Sequence, residues 1–153
     1  MNSSKISDIT LLVVRILVGI VIAGHGAQKL FGWFGGFGFD ATMNFFTETM
    51  GLPYLLALSI ILAESVGMVA LIAGLLTRAI SGILLAIMLG AIFTSHLEHG
   101  FFMNWFGAQG GEGFEYHILV IALAAVTLLN GGGWYSVDHV IRERYGKKVV
   151  NAA

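Results

Sequence analysis

The sequence predicts an all-α integral membrane protein, a bundle of four transmembrane helices with both termini in the cytoplasm. Three observations carry this. The 153 residues are 57% hydrophobic and 11% charged, with a mean hydropathy of +0.85, whereas a soluble domain carries about 25% charged residues. The apolar residues collect in four long runs separated by glycine-rich stretches. The charges segregate. With four spans, Lys5, Arg78, Arg142, Arg144, Lys147 and Lys148 fall on one side, and Asp40, Glu48, Glu98 and Glu112 fall on the other, with Lys29 near its edge. The positive-inside rule assigns the basic side to the cytoplasm. Length fits one domain, residues 1–153.

The first span covers about residues 9–30, with Ser7 or Asp8 as its cap. Arg15 interrupts its apolar core and no clear cleavage site follows, so it reads as a retained span and not a signal peptide. Gly19, Ala23 and Ala27 recur every four residues and offer a face for close helix contact. The second span, about 53–76, begins at Pro53, which suits a first helical turn, and holds one ionisable residue, Glu64. Thr77-Arg78 reads as a short turn, making spans two and three antiparallel neighbours. Span three, about 79–97, carries the small residues Gly82, Ala86 and Gly90. Span four, about 114–130, ends at Gly131-Gly132-Gly133. Spans three and four fall short of the ~20 residues a bilayer core requires, which calls for local thinning or interfacial aromatics.

The loop 31–52 is glycine-aromatic, then carries a short helix capped by Asp40. The loop 98–113 sets Phe101, Phe102, Trp105 and Phe106 among glycines. Both read as interfacial covers. The tail, about 134–148, spaces Val137, Ile141 and Tyr145 as one apolar stripe beside its cations, the pattern of an amphipathic helix on the membrane surface.

Candidate chemistry follows from depth, at about 1.5 Å per helical residue. His25, Gln28 and Lys29 share one side at the outer end of span one. His96, with Glu98 and His99 after it, ends span three, and Glu115 and His117 open span four on the same outer side. Glu64 lies near mid-depth, where a carboxylate needs a cation or donors. Arg15, about 6 Å away in depth on that rise, either pairs with Glu64 or snorkels to inner phosphates. His25, Glu64, His96 and His117 are the candidate catalytic residues, because histidine titrates near neutrality. Gln28, Lys29, Trp33 and Glu115 are the candidate ligand-binding residues. Three histidines and a carboxylate can ligate a metal, and two facing histidines can hold haem. HExxH is absent and Glu115 and His117 point to different helical faces, so metal and haem are the weaker readings and no metal ligand is assigned. The lack of cysteine excludes thiolate catalysis and Cys-type clusters within this chain. No Walker loop or dinucleotide fingerprint is present, and nothing points to nucleic acid.

Three stretches carry a family resemblance: HGAQKLFGWFGG from His25 to Gly36, HGFFMNWFGAQGGEGFEYH from His99 to His117, and LLNGGGWYSVD from Leu128 to Asp138. With Ala63-Glu64, they make the chain resemble the DoxX family of small bacterial membrane proteins over nearly its whole length. The resemblance implies a four-helix bundle in the inner membrane. It also implies membrane redox chemistry, since the related DoxD-type subunit is associated with thiosulfate:quinone oxidoreductase and other members with oxidative stress and quinone responses. A quinone is the implied ligand, and a partner redox subunit or a homo-oligomer the implied assembly, within the lipid bilayer. The resemblance brings no agreed catalytic set, so the residues above rest on depth and chemistry. The alternative is a non-catalytic anchor or assembly partner of a redox enzyme, or a binding or export module for a small lipophilic molecule.

Overall fold

The computed structural model describes residues 3–150, with side chains from 5 to 144. It is helical throughout, with no strand among the described residues. The helices are α1 (Ser3–Phe31), α2 (Gly38–Asn44), α3 (Tyr54–Leu62), α4 (Met68–Ala73), α5 (Thr77–Ala91), α6 (Glu115–Asn130) and α7 (Val137–Val150). Three continuous helical stretches are long and apolar enough to cross a membrane: Lys5–Phe31, Tyr54–Ala73 and Thr77–His99. α6 is apolar and 16 residues long.

Several expected boundaries move. α1 starts by Ser3, so neither Ser7 nor Asp8 is its cap; instead Asp8 Oδ1 accepts the Trp134 N–H at 2.9 Å. Pro53 precedes α3 with extended ψ. Asp40 lies in the first turn of α2 and makes no side-chain cap. The turn between the second and third runs is Gly74–Leu76, and Thr77 and Arg78 belong to α5. Gly74 takes φ +74°, and a Cβ there would run into Ser136 and the Arg15 guanidinium, so only glycine fits. The third run is therefore longer than the sequence suggested, because it starts at Thr77 and continues to His99.

Apolar side chains from α1, α4, α5 and α6 meet in one core, including Val18, Ile22, Leu71, Leu84 and Ala124. A smaller cluster of Met43, Ala57 and Ile61 joins α2 to α3. Buried hydroxyls stitch α5 to α6: Ser81 and Thr127 lie 2.7 Å apart, so one donates to the other and the acceptor donates to a carbonyl of its own helix, Thr77 O or Ala124 O, and neither is stranded in apolar surroundings. Gly26 allows the closest helix approach, since a Cβ there would strike the Glu64 carbonyl and Ser65 Cα. It lies one residue off the predicted small-residue face, of which Gly19 does pack against Ile72. On α5, by contrast, Ala86 and Gly90 line a cavity, and a Cβ at Gly90 would meet nothing within 4 Å.

Three π-type turns widen the helical path at Phe45–Thr49, Ala63–Gly67 and Ile92–His96. Such one-turn widenings cluster at functional sites, and here all three supply residues to the same cavity.

Arg15 is 1% exposed. It neither pairs with Glu64 nor snorkels. Its Nε donates to Ile72 O at 3.1 Å, Nη2 to Tyr135 O at 2.6 Å, and Nη1 to Gly132 O. Ile72 belongs to the last turn of α4, whose carbonyls lack helical partners, so a guanidinium satisfies them and binds the α6–α7 loop to α1. In α7, Val137, Val140 and Ile141 are exposed, while Tyr145, Lys147 and Lys148 of the predicted stripe lie outside the described side chains. Asp138 accepts the Leu76 and Thr77 N–H groups at 2.8 Å each, capping α5 from another helix. Asp138→Ala is expected to cost about 1 kcal/mol and to speed hydrogen exchange at Leu76 and Thr77; unchanged exchange there would show that the cap contributes nothing.

Candidate functional site

A cavity of about 620 Å3 opens among α1, α3, α5 and α6. His25, Lys29, Glu64, His96 and His117 all line it. Each is delivered by a distinct local device. His25 and Lys29 are one helical turn apart on α1. Glu64 is turned inward by the π-type turn that Gly26 lets α1 approach. His96 closes the π-type turn at the end of α5, and His117 sits in the first turn of α6.

Lys29 Nζ forms an ion pair with Glu64 Oε2, and the Glu64 side chain is 6% exposed. A buried carboxylate requires such a partner. The rings form a chain: His25 to Tyr116 at 6.0 Å between centroids, Tyr116 to His117 at 5.5 Å, and His117 to His96 at 4.1 Å. His96 Nδ1 lies 2.9 Å from the Glu112 carbonyl. His117 is buried, and its Nδ1 and the Tyr116 hydroxyl are, with Thr77 Oγ1, the buried side-chain atoms lacking a hydrogen-bond partner among the described residues. An unsatisfied buried polar atom costs about 1–3 kcal/mol. Two of the three orphans therefore belong to residues of the wall of one cavity. The remainder of the wall is mostly apolar, with Phe45, Phe46 and Met50 from the first loop and Met103 from the second. Among the described residues, no three His, Asp or Glu side chains gather as metal ligands.

Gln28, Trp33 and Glu115 are not in the cavity wall. Gln28 Nε2 donates to Phe34 O at 3.4 Å. Trp33 is exposed beside Phe31, with ring centroids 5.1 Å apart. Glu115 Oε1 accepts from Trp105 Nε1 at 3.4 Å. Tyr116 is the residue the sequence reading passed over. The signal was its place between Glu115 and His117, since an intramembrane tyrosine hydroxyl needs a partner.

The chain is similar to two known proteins over almost its full length. It is 29% identical over 150 residues, 98% of each chain, to the protein named "Putative oxidoreductase CatD" of Bacillus subtilis (strain 168). It is 27% identical over 141 residues, 92% of this chain and 98% of the relative, to the "Inner membrane protein YqjF" of Escherichia coli (strain K12). No solved structure matches it. The family model described as DoxX matches residues 10–97, more than half of the chain, so this membrane protein belongs to the DoxX family.

Proposed function

We propose that the protein is a quinone-linked redox protein of the bacterial inner membrane, which takes a quinone-class ring into the cavity among α1, α3, α5 and α6. It is a single domain of four spans, with α6 as the fourth and both termini cytoplasmic. The observation that carries this reading is the pairing of an apolar cavity with two buried, unpartnered polar atoms, His117 Nδ1 and the Tyr116 hydroxyl. A flat ring with acceptor oxygens matches both features. The name of the Bacillus subtilis relative, an oxidoreductase, points the same way, and that of the Escherichia coli relative supports the membrane.

In this reading a quinone accepts two electrons and two protons as it becomes a quinol, with the electrons coming from a partner redox subunit. This chain's residues bind, orient and handle protons. Tyr116 donates to a ring oxygen, and His117 bonds the same end of the ring. His25 and His96 exchange protons with these two along the ring chain, and His96 lies nearest the outer loop through Glu112. Lys29 and Glu64 set the charge of the inner wall and stay neutral as a pair. The apolar wall keeps bulk water from the rings.

The test is binding of the ubiquinone ring with a decyl chain to the purified protein in nanodiscs. His117→Ala and Tyr116→Phe should each weaken it by about three- to tenfold, the value of one lost hydrogen bond, without lowering the melting temperature. Unchanged affinity in both variants overturns the site. Binding that no reductant converts to turnover, even with membranes added back, overturns the redox role and leaves a binding module.

A further inference from the structure

The cavity is open on its flank. α4 and the turn Ala63–Gly67 pack on α5, whereas α3 makes few contacts with it, and Leu56, Ser59, Ile83, Ala86 and Gly90 stay exposed. The facing walls of the gap are Leu56, Ser59 and Ile60 on one side and Ile83, Ala86 and Gly90 on the other, and all line the cavity. Both helices belong to stretches apolar enough to span a membrane, so this gap faces lipid. Its hydroxyls are already satisfied: Ser59 bonds Leu55 O at 2.6 Å and Thr94 bonds Gly90 O at 2.9 Å. The rim is therefore apolar in effect. Gly90 adds a second signal. A glycine inside a helix costs about 0.5–1 kcal/mol relative to alanine, and here a Cβ would meet nothing within 4 Å. No neighbour in the described chain requires that glycine. The space beside it is open and belongs to the cavity.

The inner end of the same cavity holds the buried His117 with its unpartnered Nδ1. One part of the wall is polar, with His25, Lys29, Glu64, His96 and His117, and the part between α3 and α5 is apolar. The volume, about 620 Å3, lies within the ~300–1,000 Å3 of small-molecule pockets. We infer that the ligand is a membrane-borne amphiphile, which enters sideways between α3 and α5 and leaves its apolar tail lying over Ala86 and Gly90. This rests on the ring-binding reading for the head and adds the class of molecule and its route.

Gly90→Leu places an apolar side chain in the gap, starting from a Cβ that meets nothing within 4 Å. The experiment measures, in nanodiscs, the affinity of the tailless ubiquinone ring and of the same ring with a decyl chain for the wild-type protein and this variant. The decyl ring should bind the wild type at least about tenfold more tightly than the tailless ring, since each buried methylene contributes. Gly90→Leu should cost the decyl ring about tenfold and leave the tailless ring within about twofold. A tail that adds nothing in the wild type, or a variant that weakens both rings equally, overturns the side entrance. If neither ring binds the wild type, the ring reading fails, and the entrance is judged by a diazirine-bearing fatty acid. Labelling at Leu56, Ile60 or Ala86 that Gly90→Leu abolishes keeps it; labelling elsewhere, or none, overturns it.

Discussion

Arg15→Met is expected to lower the stability of the protein in detergent by about 3–5 kcal/mol, the largest effect of any single change outside the cavity. The side chain removed is fully buried and holds three carbonyls, from Ile72, Gly132 and Tyr135. Methionine has comparable length but no donor. Its substitution strands carbonyls from the end of α4 and the loop before α7, that of Gly132 buried and those of Ile72 and Tyr135 part-buried. Arg15→Lys should recover only part of the loss, because an ammonium is a point charge and cannot span acceptors that a planar guanidinium meets together. Unfolding curves in a mixed-detergent titration measure this. An Arg15→Met variant within about 1 kcal/mol of wild type would refute the assignment. Ligand affinity should not change, since Arg15 is not in the cavity wall.

The second large effect lies at the ion pair. Lys29→Met leaves the Glu64 carboxylate, 6% exposed, in an apolar wall with no counter-ion. Breaking one partner of such a pair costs about 3–5 kcal/mol, whereas replacing both by apolar groups of like shape is often neutral. The single variants Lys29→Met and Glu64→Leu are thus expected to be much less stable than the double variant. The comparison is a double-mutant cycle on melting temperature and unfolding free energy. Additive losses would show that the two side chains do not act as a pair. The double variant also separates stability from function: it should fold yet bind the decyl ring more weakly, because the wall has lost its charged groups.

These charged residues mark what a linear reading reaches. Arg15 and Glu64 are legible in the sequence as ionisable groups needing partners, because a charge in a span is costly wherever it sits, while Lys29 reads only as a ligand-binding group at the outer end. Their partners were not legible. Depth alone set Arg15 nearer to Glu64, but the rotation of each helix decides which side chains meet, and spans apolar on most faces carry little signal of rotation. Lys29 reaches Glu64 because Gly26 lets α1 close onto a widened turn of the second run. A π-type turn leaves no mark in apolar periodicity, since it shifts a helix by one residue without changing composition. The same shift presents His96 to His117 at the end of α5.

By itself the sequence determined the helical class, the membrane environment, the apolar runs and the family, because hydropathy and local motifs depend on neighbours in the chain. It also determined that His25, His96 and His117 belong near one end of the molecule, because helical rise fixes depth. Only the tertiary structure decided that these histidines line one cavity with Tyr116, that Gln28, Trp33 and Glu115 stand outside it, and that Arg15 ties the opposite end together. Those outcomes depend on helix rotation and close approach. They are set by long-range packing around residues such as Gly26 and Gly74, whose importance lies in what they leave room for.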